Sequence, residues 1–333
     1  MNNRFLRIIL PSCTFLLIII LIGCITKSNP LENKKVCIDP GHGGTAAIDF
    51  YRVGPTGERE EWINLRVAKK LKKLLEDKNC QVIMTRATDI VIPLKDRALI
   101  AVNNKADVFI SLHHNATADK RVNFPTVYFH GNASENRASV LLGQCLVRHL
   151  KASLFDDQHE SSLVSDYTIF PNSGTAVLRH SYGIPGVIGE ASFFTNPMEE
   201  KRLTKEEYNS LEARAYMSAL EDYFSSHVLP IETKFSKIKI SPFRVLQEAD
   251  RLNPIASLWQ SDFKTAQSIF RKGEPESLQV ALDLFTRSVR SFPDSWLAGK
   301  AHYFRALILE RMNKPDEAAM EIRRASEYYV DWE

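Results

Sequence analysis

Val36-Cys37-Ile38-Asp39-Pro40-Gly41-His42-Gly43-Gly44 is the stretch on which the architecture turns. Three apolar residues run straight into Asp-Pro-Gly, the pattern of a short buried strand that ends in a sharp turn. A histidine at the carboxyl end of such a strand points into the crevice where open α/β sheets bind ligands. The surrounding glycines let the backbone turn tightly and leave clearance beside the imidazole.

Outward from this loop the chain alternates. Ile63, Val67, Leu71 and Leu74 recur at helical spacing within residues 60–76, with lysines on the opposite face. Residues 81–85 and 108–112 read as strands and 94–103 as the helix between them. A strand over 127–129, a helix over 137–150, a buried strand over 187–189 and a closing helix over 205–224 follow. This alternation predicts an α/β fold for residues 36–227, a mixed, largely parallel sheet flanked by helices. Residues 228–242 carry two prolines and several lysines and read as a linker. From 243 to 333 the pattern is helical only, predicting a small all-helical, repeat-like domain. Ala281, Phe285 and Pro293, and then Ala306, Ala318 and Ala325, resemble tetratricopeptide packing positions, and a generic helical bundle is the alternative.

The 333 residues are 25% charged and 44% hydrophobic, a globular balance that argues against wholesale disorder. A formal charge of +3 supplies no concentrated basic face, so nucleic acid is not an expected partner. Arg4 and Arg7 precede an apolar run through Phe15 to Ile22, the layout of a secretory signal. Leu21-Ile22-Gly23-Cys24 resembles a bacterial lipobox, which makes 1–24 a lipoprotein signal, Cys24 the lipidated residue and 25–35 a tether. An uncleaved anchor over 5–22 is the alternative. Either reading puts the rest of the chain outside the cytoplasm, on a membrane. Cys37 and Cys80 sit in apolar runs, as small buried hydrophobes do.

Three further segments carry candidate chemistry. Glu60 stands at the front of the first helix, where the macrodipole alone favours acidic residues. Ser111-Leu112-His113-His114-Asn115-Ala116 ends an apolar strand. Adjacent strand histidines point to opposite faces, so at most one joins a shared site. Glu190 directly follows the apolar run Pro185 to Gly189, where an ionised carboxylate needs a partner. Two histidines and a carboxylate are a ligand set for catalytic zinc that leaves a position open for water, whose pKa falls to roughly 7. A further glutamate then acts as base on the water and as acid to the leaving amine. The parts together make metal-assisted amide hydrolysis.

These motifs, in this order, resemble the catalytic domain of the zinc-dependent N-acetylmuramoyl-L-alanine amidases over residues 36 to about 224. The landmarks are the Asp39–Gly44 loop, Glu60 with Asn64-Leu65, Ser111–Ala116, and Glu190 with Phe193, Thr195 and Asn196. Thr85-Arg86, Leu94 with Arg97, and Ala106-Asp107 match as well. The resemblance implies one zinc ion held by His42, Glu60 and His113, with Glu190 as the catalytic glutamate. It also implies peptidoglycan as substrate, cut between the lactyl group of N-acetylmuramic acid and L-alanine. Asn115 and Arg179 are candidate substrate contacts. Ser192, His114 and Pro125 depart from the family pattern without removing a ligand or the base. A protein partner at the helical domain is a further expectation, and the segment between His130 and His180, with its polar 156–160, is a candidate lid. Two other readings are an idle amidase-like module that recruits partners and a zinc peptidase acting on stem peptides.

Overall fold

Six short runs of β-favouring residues pair into one sheet, in the order β2-β1-β3-β6-β4-β5. They are β1 (Lys35–Pro40), β2 (Gln81–Met84), β3 (Val108–Asn115), β4 (Thr126–Phe129), β5 (Ser162–Ser165) and β6 (Gly186–Phe193). This computed structural model describes residues 29–44, 52–155, 159–251 and 253–331. Cys24 and the signal, the first part of the expected tether, and residues 156–158 of the candidate lid lie outside the described residues. Among the described residues no helix is long and apolar enough to cross a membrane.

The sheet is mixed and mostly parallel: β2, β1, β3 and β6 run together, β6 meets β4 antiparallel, and β4 and β5 are parallel to each other. One crevice therefore lies along the carboxyl ends of β1, β3 and β6 and the amino ends of β4 and β5.

Alternation along the strands sorts side chains between two helical layers. Val36, Ile38, Val108, Ile110, Leu112, Val127 and Val187 face α1 (Glu60–Glu76), α3 (Arg137–Leu154) and α6 (Glu206–Ser225). Cys37, Phe109, Tyr128, Val164 and Ile188 face the opposite way, toward α2 (Leu94–Asn103) and α4 (Ala176–His180). In α1 the buried stripe is Ile63, Val67, Leu71 and Leu75, while Leu74 is only half-buried. Cys37, Cys80 and Cys145 are buried free thiols. Leu31, within the expected tether, is fully buried against this core.

The sequence reading missed β5, α4 and the later helix over Pro197–Leu203. β5 is four residues with serines at both ends, too short to show periodicity, yet it forms the sheet edge beside β4. With it, the short 3₁₀ turn Asp166–Thr168 and α4 build much of the span between His130 and His180 into the sheet and its cover. Asp166 anchors that span, accepting from the backbone and hydroxyl of Thr175 and standing 2.8 Å from His130 Nδ1.

After α5 (Pro197–Leu203) and α6, residues 226–247 run without helix or strand. This stretch is strapped down by buried Glu135, whose carboxylate accepts from the amides of Phe235 and Lys237. The short α7 (Glu248–Arg251) leads to α8 (Trp259–Lys272), α9 (Leu278–Ser291), α10 (Ala298–Arg311) and α11 (Pro315–Tyr328). Helices α8–α9 and α10–α11 pack as successive pairs around Phe263, Ala281, Phe285, Ala306 and Ala318. Phe292 and Trp296 meet Phe124, and Phe292 also meets Phe193 of β6, in an aromatic cluster. Buried Asp294 accepts from Tyr128 Oη and Arg251, and Val330 donates to the Leu163 carbonyl at the open edge of β5.

Candidate active site

The loop after β1 turns back on itself because His42 adopts φ 58° and Gly43 φ 121°, both in the left-handed region that glycine tolerates best. Gly41 has a different reason: a Cβ there would stand 2.2 Å from the His113 ring. Carbonyls that the turn leaves unpaired are bound by two buried arginines. Arg86 donates to Pro40 and Gly41, both at 2.8 Å, and Arg97 donates to Pro40 and His42. Arg97 also donates to Asp39, whose carboxylate further accepts from Thr85 and, at 2.7 Å, from Ser111. Burial alone would raise the Asp39 pKa, but Arg97 and the two hydroxyls hold it below the ordinary value.

Glu60 opens α1 with its side chain buried beneath this loop. Its Oε1 lies 3.1 Å from His42 Nε2 and 3.0 Å from His113 Nδ1, and accepts from Asn64 Nδ2 at 3.1 Å. The two rings stand edge-on, centroids 4.5 Å apart. Among the described residues, His42, Glu60 and His113 form the one cluster whose nitrogen and carboxylate atoms all lie within 4.8 Å of one another. Burial pushes the His42 pKa down to about 4, leaving the ring neutral with a lone pair to offer. Burial would raise that of Glu60, yet the two histidines and Arg52 hold it well below the ordinary value. Arg52, which sequence reasoning did not single out, places Nη1 2.5 Å from His42 Nε2 and 3.1 Å from Glu60 Oε2. A cationic group is thus seated against two of the same three side chains. Two nitrogens, a carboxylate and evident affinity for positive charge fit a divalent ion of the zinc type.

Glu190 reaches the site through sheet register. It pairs with His113 across β3 and β6, so the two side chains leave the same face one strand spacing apart, ~4.8 Å. His114 takes the other face. Its Nδ1 stands 2.9 Å from Asn64 Oδ1 and its Nε2 3.2 Å from Glu212 Oε2, fully buried beneath α1 and α6. It lies outside the three-residue cluster. Arg179 binds the carbonyls of Ser173 and Gly174 through Nη1, and Asn115 turns its Oδ1 onto the Ala116 amide.

Residues 36–222 match the N-acetylmuramoyl-L-alanine amidase family. The chain belongs to that family. A probable cell wall amidase, LytH of Staphylococcus epidermidis, is 31% identical over 205 residues, covering 60% of this chain and 62% of that protein. The chain thus spans less than two thirds of the length of that curated relative. The crystal structure of an N-acetylmuramoyl-L-alanine amidase from Clostridium difficile 630 superposes with a TM-score of 0.51 at 31% identity, covering 59% of this chain and 98% of that one. The CwlD amidase of Clostridioides difficile, solved in complex with the GerS lipoprotein, gives 0.50 at 27% identity, covering 58% and 99%.

Within the amidase-family region, the arginines behind the loop were legible only as motif companions. Arg52 and the His114–Glu212 contact carried no local signal at all. Arg52 lies beyond the glycine loop, and Glu212 is 98 residues from its histidine.

Proposed function

We propose that this protein hydrolyses the amide joining N-acetylmuramic acid to L-alanine in peptidoglycan, at a single zinc ion held by His42, Glu60 and His113. The observation that carries the reading is the convergence of those three side chains from three separate segments, with Glu190 in register beside His113. When bound, zinc supplies Lewis-acid polarisation of the carbonyl and acidification of a water. Glu190 takes the proton of the attacking water on its carboxylate and returns it to the departing amine of L-alanine. Glu60 and the two histidines serve as donors to the ion. Asn64 and the His114 amide fix the Glu60 carboxylate, while Arg86 and Arg97 keep the His42 loop from relaxing. Asn115, at the end of β3, is the proposed contact for the substrate near the scissile bond, and Arg179 the proposed contact for its carboxylates.

The reading includes an exported chain, lipid-anchored at Cys24 and facing the cell wall, with residues 36–227 catalytic, 228–242 a linker and 243–333 a helical domain open to a protein partner. Incorporation of labelled fatty acid into the parent and its loss in Cys24→Ala tests the anchor. The amidase reading is tested by mass spectrometry of fragments released from purified peptidoglycan by the zinc-loaded protein. The expected products are free stem peptides beginning at L-alanine, with a fall of about 10³-fold in Glu190→Ala. Cleavage inside the stem peptide would replace the amidase with a peptidase. Zinc binding without any released fragment would favour a module that recruits partners.

A further inference from the structure

The helical region does more than sit beside the sheet. Between the leading end of β5 and α10 lies a groove of about 660 Å³, within the size range of small-ligand sites. Ser161 and Ser162 line one side, and Trp296, Lys300 and Tyr303 line the other. Gln267 reaches in from α8.

Sheet register ties this groove to the catalytic residues. His113 pairs with Glu190, Glu190 with Thr126, and Thr126 with Ser162. The four therefore form one row on one face, and Ser162 stands two strand spacings, ~10 Å, beyond Glu190. The strand directions put the groove and the metal ligands at the same end of the sheet.

We propose that this groove binds the glycan strand of the substrate, holding its sugar rings against Tyr303 and Trp296 while the scissile amide lies at Glu190. The proposal rests on the amidase reading, and three observations select a glycan. First, the hydroxyls of Ser161 and Ser162 have no hydrogen-bond partner in the structure, although Ser162 is only 3% exposed. A buried hydroxyl without a partner is costly, and the hydroxyl and acetamido groups of a sugar supply one. Second, Tyr303 is 51% exposed, an aromatic face open to the carbon–hydrogen faces of a pyranose. Third, the charged residues of the lining are Glu160, Asp331 and Lys300, two acids against one base. That balance disfavours a stem peptide rich in carboxylates and suits an uncharged N-acetylated sugar chain.

The test is calorimetric titration of the full zinc-loaded chain with N-acetylglucosamine tetramer and, separately, with free stem peptide. The parent should bind the tetramer, and Tyr303→Ala should weaken it roughly tenfold. Tyr303→Ala should also raise KM on insoluble peptidoglycan and leave KM on a short soluble muramoyl peptide untouched. Three results would overturn the proposal: no tetramer binding, tetramer binding indifferent to Tyr303→Ala, or stem peptide binding that Lys300→Glu abolishes. Parent activity on the soluble muramoyl peptide separates this failure from failure of the amidase reading itself.

Discussion

His113 and His114 are chain neighbours with opposite environments. His113 leaves the sheet toward the crevice and meets Glu60 and His42 at a half-buried rim. His114 leaves toward the helices and is sealed between Asn64 and Glu212. Both of its ring partners are oxygens that accept, so the ring donates twice, and Glu212 outweighs the burial that would otherwise lower its pKa. One position along the strand separates a candidate metal donor from a ring that faces two buried oxygen acceptors. What a histidine does here is set by its face and by the charge waiting there, not by its own chemistry.

The largest break in that comparison is expected from His113→Ala. Zinc affinity should fall more than about hundredfold in a chelator competition assay while the unfolding midpoint of the apoprotein barely moves. The neighbouring change reverses the pattern. His114→Ala should cost about 3 kcal/mol in denaturant unfolding, because Glu212 is left buried without its counter-charge. Zinc affinity should change by no more than about tenfold, through the Asn64 contact to Glu60. If the two variants gave the same zinc deficit, the assignment of the two faces would be wrong.

A third buried histidine sharpens the point. His302 in α10 stands 2.5 Å from Glu321 Oε2, yet burial, reinforced by Arg305 and Arg324, pushes its pKa down to about 4. Here the ring is neutral and donates once. A folded pKa below the unfolded value contributes stability that is complete above the unfolded value, near 6.5, and is lost as pH falls toward 4. Unfolding free energy measured from pH 7 to pH 4 should drop by roughly 2 kcal/mol more in the parent than in His302→Gln. Equal slopes would mean that folding leaves the His302 pKa unshifted, and a smaller drop in the parent than in the variant would mean that the ring is charged in the fold. The smallest effect concerns Arg52. Removing a partly exposed cation from the metal donors in Arg52→Ala should tighten zinc by about threefold and lower the apoprotein midpoint slightly. Looser zinc binding in that variant would make Arg52 a support of the site rather than a competitor for it.

The catalytic fold was legible because its signals are local. A strand running into Asp39-Pro40-Gly41-His42, the apolar stripe of α1 and the alternation through Val108–His113 each span few residues, and periodicity reports them directly. Parity along β3 already separated His113 from His114 before any contact was known. β5 was invisible for the complementary reason, since a four-residue edge strand is defined by its partner rather than by its own pattern.

The sequence by itself determined the order of the elements, the candidate donors and the rule that only one of the two histidines joins them. Each follows from backbone geometry and side-chain chemistry over a handful of residues. Only the tertiary structure decided that Glu190 stands in register with His113, that Arg52 seats its charge on the donors, and that α10 builds a groove along β5. Those outcomes depend on pairings between distant segments, whose geometry is set by packing of the whole sheet and its helices and has no local sequence signature.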